Sequence, residues 1–232
     1  KNASPSVRNS IKFSYDQLFV NENGNSIEFS DDFNLPKLRS FWGEEKGNIT
    51  CSLTDRPGFL RLKSTKGNSI RTLKINNTLN KKITRNTEGE VVGYFDLVKM
   101  EEGTMTGIYL FERGVNFIGV EVNNGKKILK AEINGELSDS RELTTEGLML
   151  RVRLEKSKCH LEYSIDGLNF TQLGSDFCIE TIEDTANYVG LFCLNESEEG
   201  GSVDVDWFYF KPMENSTVQF AETRDNKNIP IL

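Results

Sequence analysis

The feature that most constrains this chain is a ladder of short alternating runs between Glu90 and Phe210, punctuated by Arg113-Gly114, Asn124-Gly125, Asn134-Gly135 and Asp166-Gly167. Asx-Gly pairs favour the type I′ turn, whose twist matches the strands on either side, so antiparallel pairing is the default. The runs Glu90 to Val98, Thr104 to Glu112, Val115 to Asn123, Lys127 to Asn134, Leu148 to Lys156, Lys158 to Asp166, Tyr188 to Asn195 and Val203 to Phe210 read as strands. Strands of this length, following one another without helices, predict an all-β two-sheet antiparallel sandwich or jelly roll. No internal repeat points to a propeller or solenoid.

Upstream, Ile27 to Phe33 reads as the first strand, with Ile27, Phe29, Asp31 and Phe33 on one side. Pro57-Gly58 forms the centre of a turn in which proline presets the first backbone angle and glycine supplies the positive φ of a type II turn. It leads into Phe59-Leu-Arg-Leu-Lys63, where Leu60 and Leu62 share one face. Short edge strands are expected around 70–75 and 80–83, and a short helix near 180–186. The division that follows is a polar lead-in over 1–25, one sandwich domain over 26–212, and an arm or linker over 213–232.

At 232 residues, 37% hydrophobic and 27% charged, the chain has the composition of a folded domain with a core. A net charge of −7 without basic clusters argues against nucleic acid and anionic membranes as partners. No apolar run approaches the ~20 residues that span a bilayer. The opening KNASPSVRNS lacks the apolar stretch of a signal peptide, so the segment reads as a mature chain or an excised domain. Cys51, Cys159, Cys178 and Cys193 show no CxxC spacing, which signals neither zinc nor a redox pair; their spacing leaves two disulfides open.

The catalytic inventory is thin. His160 is the one histidine, no GxSxG elbow accompanies it, and Cys159 beside it faces the opposite side of the same strand. Asp204 and Asp206 share a face of the last strand, opposite Val203, Val205 and Trp207. Either they are exposed at the strand start, or they are buried and need a partner such as calcium, a hard cation bound by carboxylate and carbonyl oxygens. Candidate sugar contacts are Tyr109 and Phe111 on one side of their strand, Glu121 on the next, and Trp42 in a loop; for Tyr109, Phe111 and Trp42 taken singly, core or interface packing is the simpler reading.

The runs Asp31-Asp-Phe-Asn34, Trp42 and Ser52-Leu-Thr-Asp-Arg-Pro-Gly-Phe-Leu-Arg-Leu62 resemble the C-terminal concanavalin A-like sandwich of family 43 glycoside hydrolases, which include β-xylosidases and α-arabinofuranosidases. Thr106 to Phe111, Tyr163 to Gly167 and Tyr188 to Phe192 continue the likeness in the same order. The resemblance implies a module that works beside a catalytic propeller on xylan or arabinan, and it carries no catalytic residue onto this chain. In the wider lectin and glucanase superfamily, positions matching Asp32, Gly58 and Asp206 hold a structural calcium. The Glu-x-Asp-x-x-Glu strand of the glucanases does not occur here. In the family's xylosidases the sandwich lends an aromatic from a loop to the neighbouring active site; the corresponding stretch here, Arg85-Asn86-Thr87, holds none. The functions expected are therefore a carbohydrate-binding or accessory module, a purely structural brace for a catalytic domain, or a divergent stand-alone glycan hydrolase.

Overall fold

A computed structural model describes residues 30–39, 41–42, 49–64, 69–70, 79–83, 88–111, 114–155, 158–179, 187–196 and 200–212. The expected lead-in, helix and C-terminal arm lie outside these residues, as do 27–29, 71–75 and 84–87. The described strands are β1 (Thr50–Ser52), β2 (Leu60–Lys63), β3 (Leu79–Ile83), β4 (Gly89–Asp96), β5 (Thr104–Phe111), β6 (Val115–Asn123) and β7 (Lys126–Ile133). They continue as β8 (Glu136–Leu143), β9 (Gly147–Glu155), β10 (Lys158–Ser164), β11 (Thr171–Gln172), β12 (Phe177–Cys178), β13 (Asn187–Asn195) and β14 (Ser202–Pro212).

These strands make two sheets, and every pairing in them is antiparallel. One runs β1-β2-β14-β4-β9-β10-β11 with β12 beside β10; the other runs β3-β13-β5-β6-β7-β8. The turns do what their residues dictate. Asn124-Gly125 and Asn134-Gly135 carry two successive positive φ angles each, 53° and 71°, then 55° and 80°. That is the I′ signature. At Arg56 to Phe59 the Phe59 amide donates to the Arg56 carbonyl (3.1 Å) with Gly58 at φ 80°, the type II turn expected there.

Alternation then sorts the side chains. Leu60, Leu62, Val91, Phe95, Ile108, Leu110, Ile118, Val120, Leu150, Val152, Val189 and Leu191 meet between the sheets in one core. At roughly 25 cal/mol per Å² of apolar area removed from water, this layer is what holds the sheets together.

Three sequence expectations change. β8 was not among the runs read as strands, because ELSDSREL is largely exposed and carries no apolar alternation. It is an edge strand, specified by its backbone pairing to β7 and blunted by charge, with Lys126 bonded to Glu142 at 2.8 Å. In β14 a bulge between Val205 and Trp207 inserts one residue and reverses the alternation. Val203, Val205, Phe208 and Phe210 therefore face the main core, whereas Trp207 and Tyr209 pack on the outer side against Val92, Tyr94 and Met149. Trp207 thus faces away from Val203 and Val205, contrary to the two-residue count. The spacing left two disulfides open, and in the structure none of the four cysteines is in a disulfide.

The sandwich has two ends. At the near end β4 runs into β5 and β14 begins; at the far end β5 turns into β6 and β7 into β8.

Candidate functional site

The outer side of the six-stranded sheet is unusually aromatic. Met105 and Tyr109 on β5, Phe117 on β6, and Phe192 and Leu194 on β13 form a second apolar cluster with Ile70, joined by the half-buried Phe111, Val115 and Tyr188. Glycines make this packing feasible: Gly107 pairs with Gly119 across β5 and β6, and a Cβ on Gly107 would sit 2.6 Å from the Gly119 Cα. Above them Phe192 meets Phe117 edge-on at 5.5 Å and Tyr109 at 6.5 Å. Tyr109 is 1% exposed, so its ring belongs to this cluster.

The other expected sugar contacts separate. Phe111 pairs with Val115 at one end of the face, while Glu121 pairs with Met105 toward the other, about 20 Å along β6 at ~3.3 Å per residue. Glu121 is tied to Lys130 on β7. Trp42 is buried in the main core against Phe33, Phe41 and Phe208, and its Nε1 donates to Asp31 Oδ2 at 2.9 Å. Tyr109, Phe111, Glu121 and Trp42 do not converge on one point.

What does converge is at the far end. A cleft of about 550 Å³ is lined by Ile70, Gly114, Val115, Glu132, Asn134, Gly135 and Glu136. Val115 is the cross-strand partner of Phe111, so an aromatic edge adjoins the opening. Asn116 fixes the hairpin tip, its Oδ1 accepting the Asn134 amide at 2.7 Å. The arrangement offers two carboxylates and an amide beside an apolar wall, which suits hydroxyl-rich ligands. Glu136 is exposed at the start of β8. The sequence signal for Glu132 and Glu136 was the Asn134-Gly135 turn they flank, read only as a turn.

Of the residues expected at calcium, Asp32 and Asp206 lie on segments that one backbone bridge joins, and Asp32 is linked to Gly58 through Asn34. Asp31 pairs with Phe208 through both backbone bonds, at 2.9 Å each, and Asp206 lies two residues before Phe208 in the bulge. Asp206 is buried, at 5% exposure. Asp32 accepts from Asn34 Nδ2 at 2.7 Å, and Asn34 Oδ1 comes within 3.3 Å of where a Gly58 Cβ would stand. Asp32 and Asp206 are two carboxylates; among the described residues no three His, Cys, Asp or Glu side chains form a metal-ligand group. A cation here would complete its shell from backbone carbonyls such as that of Gly58.

The buried carboxylate of the opening stretch is Asp31, at 1% exposure. It accepts from the Phe33 and Arg39 amides and from Trp42, which ties those three residues to the opening stretch. Asp204 is answered by arginines. Arg61 Nε and Nη2 reach it at 2.7 and 2.8 Å, and Arg56 Nη1 at 2.9 Å while also bonding Asp96 at 2.7 Å. Burial alone would raise the Asp204 carboxyl; the two guanidiniums overcome it and hold it below the usual carboxylate range. His160 is buried, with its Nδ1 2.9 Å from Asp176 Oδ1, and does not line the far-end cleft.

Comparison with known proteins places this architecture. A curated β-xylosidase of Formosa agariphila is 34% identical over 203 residues, 78% of this chain and 34% of its own length. The chain thus spans about a third of that relative. Two solved structures share the fold: a bifunctional GH43-CE protein of Bacteroides eggerthii (TM-score 0.68, 23% identity, 80% of this chain and 26% of that one) and the GH43 BlXynB protein of Bacillus licheniformis (TM-score 0.68, 19% identity, 82% and 40%). The family model for the β-xylosidase C-terminal concanavalin A-like domain matches residues 30–211, from the Asp31 bridge to the end of β14, and the chain belongs to that family.

Proposed function

We propose that this chain is the non-catalytic accessory domain of a longer family 43 glycoside hydrolase acting on a plant polysaccharide such as xylan or arabinan. The observation that carries the reading is the family match across residues 30–211, which takes in both sheets and the far-end cleft. In this reading the cleft beside Phe111 contributes sugar contacts through Glu132, Asn134 and Glu136. A pyranose presents an apolar face and a polar rim, matched here by the Val115 wall and the hairpin carboxylates. The test is calorimetry of the 232-residue chain against xylan, arabinan and their oligomers, with E136Q as the comparison. Saturable binding weakened by E136Q supports the reading; no heat with any glycan sinks the sugar contact.

A second reading, a brace without sugar affinity, is favoured by the burial of Tyr109 and Trp42, which leaves neither ring as a stacking platform. It is the outcome if no glycan binds while a covalently linked catalytic domain melts at a lower temperature without this domain.

A structural calcium held by Asp32, Gly58 and Asp206 belongs to the same proposal. It is supported by the pairing of Asp31 with Phe208 and by the burial of Asp206. Chelation followed by thermal melting tests it: a lowered Tm restored by calcium is expected, and an unchanged Tm removes the ion.

A further inference from the structure

The turns Asn124-Gly125, Asn134-Gly135 and Asp166-Gly167 are alike in sequence and differ in how their amides are held. An Asx-Gly pair carries its own chemistry, because a glycine nitrogen, with no side chain to shield it, can reach the side-chain carbonyl carbon of the residue before it. Two restraints prevent the attack. One is a hydrogen bond on the glycine N–H, which must lose its proton before the nitrogen is a nucleophile; the other is a side-chain carbonyl fixed away from it.

At Asn124-Gly125 both restraints are present. Glu102, from the loop between β4 and β5, clasps the turn, its Oε1 accepting the Asn124 amide at 2.7 Å and its Oε2 the Gly125 amide at 2.9 Å. Asn124 Nδ2 donates to Asn123 Oδ1 at 2.8 Å. An anion formed at Gly125 N would stand against the Glu102 carboxylate, which disfavours it. At Asp166-Gly167 the buried Gly167 amide donates to Ser164 Oγ at 3.0 Å. Asp166 accepts from Ser164 Oγ, Leu168 N, Asn169 N and Asn169 Nδ2 at 2.9, 2.8, 2.8 and 2.7 Å, bonds that hold its carboxyl far below the usual range and keep it in the ionised, unreactive form.

Asn134-Gly135 has neither restraint. Its φ angles, 55° and 80°, match the 53° and 71° of Asn124-Gly125, so backbone shape does not separate the two turns. Asn134 N donates to Asn116 Oδ1 at 2.7 Å, but that nitrogen takes no part in the attack. Among the described residues nothing accepts the Gly135 amide or holds the Asn134 carboxamide, and both residues are exposed. Glu132 and Glu136 flank the turn, and the Glu136 charge is screened by the water it faces.

We infer that Asn134 is a site of self-modification in the far-end cleft. Gly135 N gives up its proton to solvent base and attacks Asn134 Cγ; the new C–N bond closes a five-membered imide, the Cγ–Nδ2 bond breaks, and ammonia leaves carrying the equivalent of that proton. Water then opens the imide at either carbonyl, giving aspartate or isoaspartate. Both products add a carboxylate to a lining that already holds Glu132 and Glu136. Isoaspartate also puts one more methylene into the backbone of the two-residue turn that sets the β7–β8 pairing. The resulting loss of glycan affinity rests on the accessory-domain reading; the chemistry does not.

The test incubates the 232-residue chain at 37 °C in mildly alkaline buffer and follows each turn by tandem mass spectrometry of tryptic peptides. Asn134 falls in Ala131 to Arg141, Asn124 in Gly114 to Lys126, and Asn23-Gly24, outside the described residues, on a third peptide. Conversion is expected about tenfold faster at Asn134 than at Asn124, the scale of one hydrogen bond to a charged group that must break before attack. E102A removes the clasp at an exposed loop position and should raise Asn124 to the Asn134 rate while leaving Asn134 unchanged. Asn124 converting as fast as Asn134 in the wild type, an unaltered Asn124 rate in E102A, or no conversion at Asn134 would overturn the proposal. Calorimetry of fresh and aged chain against xylan and arabinan oligomers reads the consequence apart from the chemistry: a fresh chain that binds no glycan sinks the sugar contact, and the peptide masses still decide the modification.

Discussion

The Asp204 network gives the sharpest prediction. Asp204→Asn keeps the shape and one acceptor oxygen but removes the charge that receives three bonds, from Arg61 Nε, Arg61 Nη2 and Arg56 Nη1. Asp204 is 2% exposed and the Arg61 side chain 12%, so the guanidinium left behind is poorly solvated. Breaking one partner of a buried pair costs about 3–5 kcal/mol. Arg56 keeps Asp96 and is a third exposed, which puts the expected loss near the lower bound, about 3 kcal/mol. For a domain of this size that lowers Tm by about 6–12 °C. The assay is urea unfolding of wild type, D204N, R61M and the double variant. A coupling energy above about 1 kcal/mol is expected for residues sharing one network. The acid limb supplies an independent check. The folded Asp204 carboxyl lies below its unfolded value, so its contribution is complete above the unfolded pKa of about 3.9 and is lost as pH falls through the lowered folded value. D204N should flatten that limb. A loss under about 1 kcal/mol, or additive single variants, would refute the view that this network, and not a cation, answers Asp204.

Other perturbations probe separate links. Gly107→Ala should destabilise by about 1–3 kcal/mol, because the added methyl meets the Gly119 backbone; a neutral effect in urea unfolding would show that the sheet yields there. Trp42→Phe removes the indole donor from buried Asp31 and should cost about 2 kcal/mol, again read by urea unfolding, with W42F as stable as wild type contradicting the role given to Asp31. Burial pushes the Cys193 thiol up to about 12, and Cys159 is buried too, so a thiol reagent should modify exposed Cys178 in the native protein while Cys159 and Cys193 react only on unfolding. Labelling of Cys193 ahead of the unfolding transition would count against its place in the core.

Much of the fold was legible because alternation and turn chemistry are local. The boundaries of β6 matched residue for residue, and the Asn-Gly turns carry the positive φ angles their residues favour. What escaped was information that is not local. β8 has no apolar code, since an edge strand with both faces wet is specified only by its neighbour. The β14 bulge is equally silent in sequence: Val203 to Phe210 alternates smoothly by eye, yet one unpaired residue sends Trp207 to the opposite face.

The site was harder still, for a related reason. Alternation correctly put Tyr109 and Phe111 on one side of β5, but side does not determine exposure, and Phe192 from a strand eighty residues later closes over the Gly107–Gly119 pair beside Tyr109. Residues free to meet a ligand are those at strand ends, where no neighbouring strand covers them, and there the sequence offered only turn signals. Asn134-Gly135 marked the far-end cleft without naming Glu132 and Glu136. In a sandwich whose outer aromatic face is already packed, the sugar contact proposed above falls to a hairpin loop. Variation at positions 132–136 should therefore alter glycan affinity, read by calorimetry, while leaving the two sheets intact.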